Sequence, residues 1–432
     1  GYSSAASDVY KRQGENITIL SEDVIFFENE LMDKYQEKSW IQNGWMYRLD
    51  GKYYDGVENT DDFENFLKKT FGVQVFTMES FYKNVIHKHD KEICSNVGGT
   101  ETDENIAESI DVLTFLGENY KLIFEDHSND KFISLPLYRY DNWDAVTNRD
   151  VKVYLYHEDL KELLEENWVP EKIVYMLEDK YNDVFTKYPA LLKKLEIDKY
   201  SFKGFKEVLL NQIDSLKETT ENKECNIAFH RFMLDKEDLT KSDYKTIGKI
   251  GLLASDNKGE EENHHVGEPL YISDVYMEAG KGVESMVRKY DETAYFTSNS
   301  YLSENADKSE VTAWKEYFMN LGVSYNIHDI IFNSIIPNLE DIKEKDIAIL
   351  LAEYYYDFHE EGVWDTVIND LMKLNVVVKK GENCFLPLKD AIFNDCHEPE
   401  PYPYLIIENE LSDIYQKPET MRLLHEIVES LS

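Results

Sequence analysis

The chain has 432 residues, with 46 basic against 85 acidic side chains for a formal charge of −39. A surface this acidic repels phosphate backbones and anionic headgroups, which argues against nucleic acid or a membrane surface as partner, although it also serves simply to keep a large chain in solution. Hydrophobic residues at 42% and aromatics at 13% are enough for two to four domains with real cores and exclude wholesale disorder.

Taken in chain order, the opening GYSSAASDVYKRQ has no apolar stretch of the kind a signal peptide needs. Asp8 to Gln13 reads as a translated sequencing adapter, so residues 1–13 are set aside as not native. ITILSED (17–23) reads as the tail of an earlier copy of a repeated strand pair, and FENELMDKYQ (27–36) as the first helix. DFENFLKKTFGV (62–73) is an amphipathic helix with Phe63, Phe66 and Leu67 on one face and Gly72 as its stop. GTETDENIAES (99–109) reads as a polar loop, and FISLPLYRYDNWDAVTNRDVKVYL (132–155) as short apolar strands around a polar turn. ELLEENWV (162–169) and YPALLKKLEI (188–197) are helical, and DSLKETTENKE (214–224) is the expected flexible acidic linker. IGLLASDNKGEEENHHVGEPLYIS (250–273) repeats the strand pair, SMVRKYDETAYF (285–296) an acidic helix, and WKEYFMNLGV (314–323) a helix with Trp314, Phe318 and Leu321 in register. Residues 327–376 are helical, interrupted at Pro337 with a further break at Gly362, and NVVVKKGENCFLPLKDAIFND (375–395) is a third strand pair.

Near the end, IENELSDIYQ (407–416) matches FENELMDKYQ at seven of ten positions. ELMDKYQEKSWI (30–41) aligns with SMVRKYDETAYF, placing Trp40-Ile41 on Tyr295-Phe296. The helix ends at Val73, Ile197 and Val323 lie 124 and 126 residues apart, and the three strand pairs follow in the same order. Three landmarks in one order imply an internal duplication with a period of about 127 residues, longer than the common solenoid repeats. The expected architecture is α+β: tandem modules at 14–156, 157–276 and 277–400, each mainly helical with a short β-hairpin, and the start of a fourth, truncated module at 401–432. No initiator Met is present and the sequence ends inside a helical pattern, so a fragment of a longer reading frame is expected.

Chemistry is sparse. A phosphate-cradling loop needs clustered glycines between strand and helix, and neither Gly98-Gly99 nor Gly280/Gly282 has that context. His87 and His89, with Asp90 and Cys94 nearby, chelate together only from an extended segment, because i, i+2 side chains on a helix diverge. His264-His265 falls in a polar turn, Cys396-His397 has no partner in sequence, and FHEEGVW (358–364) is not a zinc-protease motif. Cys94, Cys225, Cys384 and Cys396 are scattered without a CxxC pair and read as thiols of a reducing compartment. No run of 18 apolar residues occurs, so no membrane span is expected. The runs YLYHEDL, EPLYISDVY and AEYYYDF read as core aromatics rather than a stacking surface. No catalytic, cofactor-binding or metal-ligating residue is assigned.

The segments WKEYFMNLGV (314–323), LPLYRYDNWDAVTNRDVKVYL (135–155), PLYISDVY (269–276) and LPLKDAIFND (386–395) resemble the repeat regions of large sacsin-like and NO VEIN-like proteins that carry an Hsp90-type ATP-binding domain. That resemblance implies a non-catalytic scaffold segment of a cytoplasmic, chaperone-like or defence-related protein, contacting protein clients or partner subunits. It also implies an ATP-binding domain upstream in cis. The family's ATP-site motifs are absent from this sequence: DNKGEE (256–261) offers Asp256 and Gly259 but lacks the second glycine. The alternative is an independent metal-dependent hydrolase built from His87, His89 and nearby carboxylates.

Overall fold

The computed structural model describes residues 8–12, 15–19, 24–53, 56–97, 103–140, 145–146, 151–170, 172–236, 238–277, 283–324, 327–353, 364–377, 385–388, 392–393, 405–406, 415 and 417–430. The chain is α+β, with many helices around small sheets, and it divides into two compact units. One comprises residues 1–165 with 171–208, the other 166–170 with 209–432.

In the first unit, β1 (Asp8–Arg12) and β2 (Glu15–Ile19) form an antiparallel pair. β3 (Ile25–Phe27) is buried at all three positions, as expected of a strand covered on both faces. It runs parallel to β4 (Tyr47–Leu49), and between them lies the helix Glu30–Gln36, whose N-terminus Asn29 caps by accepting from the Leu31 N–H at 2.8 Å. The next helix, Thr60–Phe71, stops at Gly72 in the left-handed region (φ +68°), and the chain returns so that Gln74 bridges Phe26 in parallel. The helix Asp103–Glu118 buries Ile106, Val112, Leu113, Phe115 and Leu116 in the unit's main core. A hairpin of β5 (Leu137–Tyr138) and β6 (Ala145–Val146) leads into β7 (Lys152–Tyr154). β7 is central, parallel both to β8 (Val174–Met176) and to β9 (Ile197–Asp198), with the helix Glu158–Glu165 and the helices Tyr181–Lys187 and Pro189–Lys194 as crossovers.

In the second unit the helices Ile213–Thr220, Lys223–Leu234 and Lys241–Ile247 precede the hairpin β10 (Leu252–Ser255) and β11 (Glu261–His264). Then come β12 (Leu270–Tyr271), the helix Val283–Tyr290, β13 (Tyr295–Thr297) and the helix Lys308–Leu321. The sheet order is β11-β10-β13-β12. Gly322 (φ +98°) ends the last helix and Ser324 bridges Tyr271 in parallel. Further on, β14 (Asn375–Val377) pairs with β15 (Phe385–Pro387), and β16 (Ile392–Phe393) runs parallel to β17 (Leu405–Ile406), ahead of the helix Pro418–Glu429. Ile331, Leu339, Leu351, Val376, Leu423 and Ile427 lie in this part's core.

One arrangement occurs three times. A central residue pairs in parallel with two neighbours: Phe26 with Arg48 and Gln74, Tyr154 with Met176 and Asp198, Tyr271 with Phe296 and Ser324. Two residues before each third partner sits a left-handed residue, Gly72, Glu196 (φ +56°) and Gly322. Each of the three expected strand pairs contains an antiparallel hairpin, β5–β6, β10–β11 or β14–β15, but in the first two the partner is a short strand within the expected polar turn, while the second apolar run, Lys152–Tyr154 or Leu270–Tyr271, runs in a parallel sheet.

Three local expectations are corrected. DSLKETTENKE is no linker: residues 214–220 are helical, and Asn222 caps the following helix by accepting from Cys225 N–H at 3.0 Å, so polar character here marks a helix end. GTETDENIAES, expected as a polar loop over 99–109, is helical from Asp103 onward. Trp40-Ile41 does not correspond to Tyr295-Phe296; strand pairing places Tyr47-Arg48 there, because the chain between the first helix and β4 is longer.

Candidate functional site

The His87–Cys94 cluster singled out from the sequence spans the turn into the helix Asp90–Asn96. Asp90 is almost wholly buried, and burying a carboxylate is tolerated only with partners. Lys131 Nζ lies 3.1 Å from its Oδ2, Asn129 Nδ2 donates to the same oxygen at 3.4 Å, and His87 Nδ1 is 3.8 Å away. His89 turns elsewhere: its ring stacks on Trp45 at 4.3 Å between centroids and 5° between planes, and burial pushes its pKa down. The two histidines are therefore not brought to one point. Cys94 is pushed up to about 12, chiefly by burial with Asp90 adding to it, and burial also raises Cys225. Neither thiol is poised as a thiolate nucleophile. Among the described residues no set of three His, Cys, Asp or Glu side chains converges as metal ligands would.

His264, expected in a solvated turn, instead lies in β11 with its ring 3.6 Å from that of Tyr295 and its Nδ1 2.8 Å from Glu268 Oε2. Asp256 does occupy the hairpin turn, where its Oδ1 accepts from the Lys258 and Glu260 N–H groups. Gly98-Gly99, Gly280/Gly282, Cys384, Cys396-His397, residues 358–363 of FHEEGVW and residues 407–414 of the repeated decapeptide lie outside the described residues.

The most highly organised polar groups join hairpins to their sheets. Tyr181, Tyr301 and Tyr415 are each fully buried, and each hydroxyl accepts the backbone N–H of a first hairpin strand: Tyr138 at 3.2 Å, Leu253 at 2.8 Å and Val377 at 3.2 Å. Burial raises all three phenols, so they remain protonated and keep a proton to donate. Tyr301 gives its proton to Asn226 Oδ1 at 2.6 Å, and Tyr181 lies 2.6 Å from Ser109 Oγ. Asn226 Nδ2 in turn donates to the Gly251 carbonyl at 2.7 Å.

Beside this network His230 is fully buried and pushed down to about 4 by desolvation. Its Nε2 faces the Gly251 carbonyl at 3.3 Å and its Nδ1 the Tyr317 hydroxyl at 2.9 Å. A carbonyl only accepts, so Nε2 carries the proton and Nδ1 takes the Tyr317 hydrogen. The network ties the helix Lys223–Leu234 to the hairpin and to the helix Lys308–Leu321.

These tyrosines were missed in the sequence, although a signal exists: in YMLEDKY (175–181) and YFTSNSY (295–301) a tyrosine follows the paired strand residue, Met176 or Phe296, by five positions. Comparison with family models, with curated proteins and with solved structures found no match for this chain.

Proposed function

We propose that the chain is a tandem-repeat scaffold segment of a large cytoplasmic protein of the sacsin-like and NO VEIN-like kind, acting through protein–protein contacts rather than through chemistry of its own. Each repeat of about 120–127 residues is a helical block, a β-hairpin, and a parallel β-α-β-α-β sheet. The observation that carries this reading is the threefold recurrence of the sheet with its register and its left-handed residue, at Phe26, Tyr154 and Tyr271 and at Gly72, Glu196 and Gly322. It is supported further by the use of the buried polar groups. Tyr181, Tyr301, Tyr415, Asn226 and His230 bind backbone or one another, and fastening of this kind builds a stiff framework.

In this reading an Hsp90-type ATP-binding domain lies elsewhere in the parent protein, and the repeats present surfaces to clients or partner subunits. The direct test is the complete reading frame together with an ATPase assay on residues 14–432. An upstream ATP-binding domain, further repeats and no turnover by the segment are the expected results. Saturable turnover of ATP by the purified segment overturns the scaffold reading.

A further inference from the structure

The three parallel sheets differ where the chain leaves the third partner for the next helix. Counted from that partner, Gln74, Asp198 or Ser324, the fifth residue is Glu79, Lys203 or Asp329 and the sixth is Ser80, Gly204 or Ile330. Acidic residues suit a helix N-terminus, because its dipole favours negative charge. Glu79 and Asp329 follow that rule in the helices Met78–Phe81 and Ile327–Ile330, and Asp329 also accepts from Ser324 Oγ at 2.6 Å. The first of these turns is closed by its own side chains, Thr77 and Ser80 each accepting the other's backbone N–H. The helix Phe202–Asn211 breaks the rule: KYSFKGFK (199–206) carries three lysines and no acid in a chain with 85 acidic side chains.

The central strand differs at the same place. Phe26 has no hydroxyl, and Tyr271 joins its hydroxyl to Ser334 Oγ at 3.0 Å. Tyr154, 1% exposed, buries a hydroxyl that meets no hydrogen-bond partner among the described residues. Burial, with Asp198 and Tyr200 adding to it, pushes this phenol up to about 12, so it keeps a proton to donate. The hydroxyl faces the first turn of the helix. A side chain on Gly204 would begin 3.7 Å from it and 3.3 Å from Ser201 Oγ, in the space that lies toward the helix N-terminus. Ser201 is exposed and caps the turn with a long bond, accepting the Gly204 N–H at 3.3 Å. Around this spot Asp198 is held by Lys152, Lys206 lies over the Phe202 ring, and Tyr200 packs against Tyr154, Phe205 and His157. Glu207, also near the phenol, follows the third lysine directly.

We infer that the first turn of the helix Phe202–Asn211, with the Tyr154 hydroxyl and the Lys203 ammonium, binds a small tetrahedral oxyanion, either free phosphate or a phosphate monoester. A helix N-terminus gathers backbone N–H groups and positive potential, Lys203 supplies a full charge, and the phenol donates the bond it has nowhere else to place. The location is the one where open parallel sheets take ligands. β7 comes first in the chain and lies centrally, β8 and β9 flank it, and the helix follows the carboxyl end of β9. The overall charge of −39 repels a long phosphate backbone, which spans much of the surface, while salt screening leaves a local cationic turn open to one small anion. The inference goes beyond the scaffold reading and does not depend on it.

The test is a magnetic-resonance titration of the full chain carrying isotope-labelled glycine, with inorganic phosphate and separately with phosphoserine, against sodium chloride at matched ionic strength. The expected result is a saturable shift of the Gly204 amide with at least one phosphate compound and none with chloride. Tighter binding of phosphoserine assigns the monoester, and tighter binding of inorganic phosphate the free ion. Lys203→Glu installs the kind of residue that Glu79 and Asp329 supply in the other two turns, so it keeps the fold while weakening binding by at least about 10-fold. Tyr154→Phe removes a hydroxyl that has no partner, so it too keeps the fold and weakens binding by about 10-fold. No saturable shift, an equal shift with chloride, or unchanged affinity in either variant overturns the inference. None of these outcomes bears on an upstream ATP-binding domain, so this inference and the scaffold reading fail separately.

Discussion

Replacing Tyr301 by Phe removes one oxygen from a fully buried site and leaves two groups behind. The Leu253 N–H loses its acceptor at 2.8 Å, and Asn226 Oδ1 loses its donor at 2.6 Å. A buried polar group left without a partner costs about 1–3 kcal/mol, so the pair costs about 2–5 kcal/mol. That is a large share of the roughly 5–15 kcal/mol that holds an ordinary domain together. Tyr181→Phe is the internal comparison. It strands the Tyr138 N–H, but Ser109 keeps its bond to the Ile106 carbonyl at 2.9 Å, so the cost is nearer 1–2 kcal/mol. The assay is urea unfolding of both variants with hydrogen exchange resolved to the peptides around residues 138 and 253, because a chain with two compact units need not unfold in one step. Tyr301→Phe within about 0.5 kcal/mol of the parent, with the Leu253 amide still protected, would refute the claim that this hydroxyl fastens the hairpin.

Glu196 stands in the left-handed region where the other two sheets have glycine, so Glu196→Gly raises stability by up to about 1 kcal/mol in thermal unfolding, and a loss of stability contradicts the assignment. Gly322→Ala acts oppositely, at φ +98° and with the new Cβ 3.2 Å from Val266 Cγ1, and lowers stability by about 1–2 kcal/mol by the same measurement. Gly117→Ala drives a methyl to within 2.3 Å of Tyr188 Cγ; a loss of about 1–3 kcal/mol is expected, and a neutral variant shows that the ring moves freely. His230 is held down at about 4 when folded, so between the ordinary histidine value of about 6.5 and 4 the unfolded chain binds the extra proton. Its contribution is therefore complete above about pH 6.5 and is lost as pH falls, reaching about 3 kcal/mol near pH 4, and His230→Gln flattens that part of the pH–stability curve.

The first strands of the hairpins and the amphipathic helices were legible because both are local: the apolar run Leu252–Ala254 precedes Asp256, Asn257 and Gly259, and Phe63, Phe66 and Leu67 recur with helical spacing, whereas the polar partner strand Glu261–His264 was hidden in what reads as turn. The spacing of Val73, Ile197 and Val323 was legible too, and it marks the return of the third strand to the central one. What could not be read is long-range. Each parallel strand is only two or three residues, too short for a periodic signal, and its partner lies a helix away. The Asp214–Glu224 segment misled because its acids and threonines suit a loop as well as a helix end; Thr220 returns its hydroxyl to the Leu216 carbonyl at 2.7 Å and stays helical. The place of His89 was not legible either, since nothing in the letters shows that Trp45 captures its ring.

The match between residues 27–36 and 407–416 also has a physical reading that sequence identity obscured. Tyr35 and Tyr415 align as letters, yet Tyr35 lies in the helix between two parallel strands and packs against Phe76, Phe81 and Phe115. Tyr415 instead follows the second parallel strand, β17, and takes the Val377 N–H of the preceding hairpin, the same task that Tyr181 and Tyr301 perform after β8 and β13. Strand pairing, not letter identity, therefore defines which positions correspond. By that measure the shared framework is the central strand, the left-handed turn and the tyrosine, while the groups around it differ: Ser109 against Asn226, Glu196 against glycine, Arg48 against Met176 and Phe296. The scaffold proposed above would need that combination, because a fixed backbone register sets where each sheet lies while the variable positions set what it contacts.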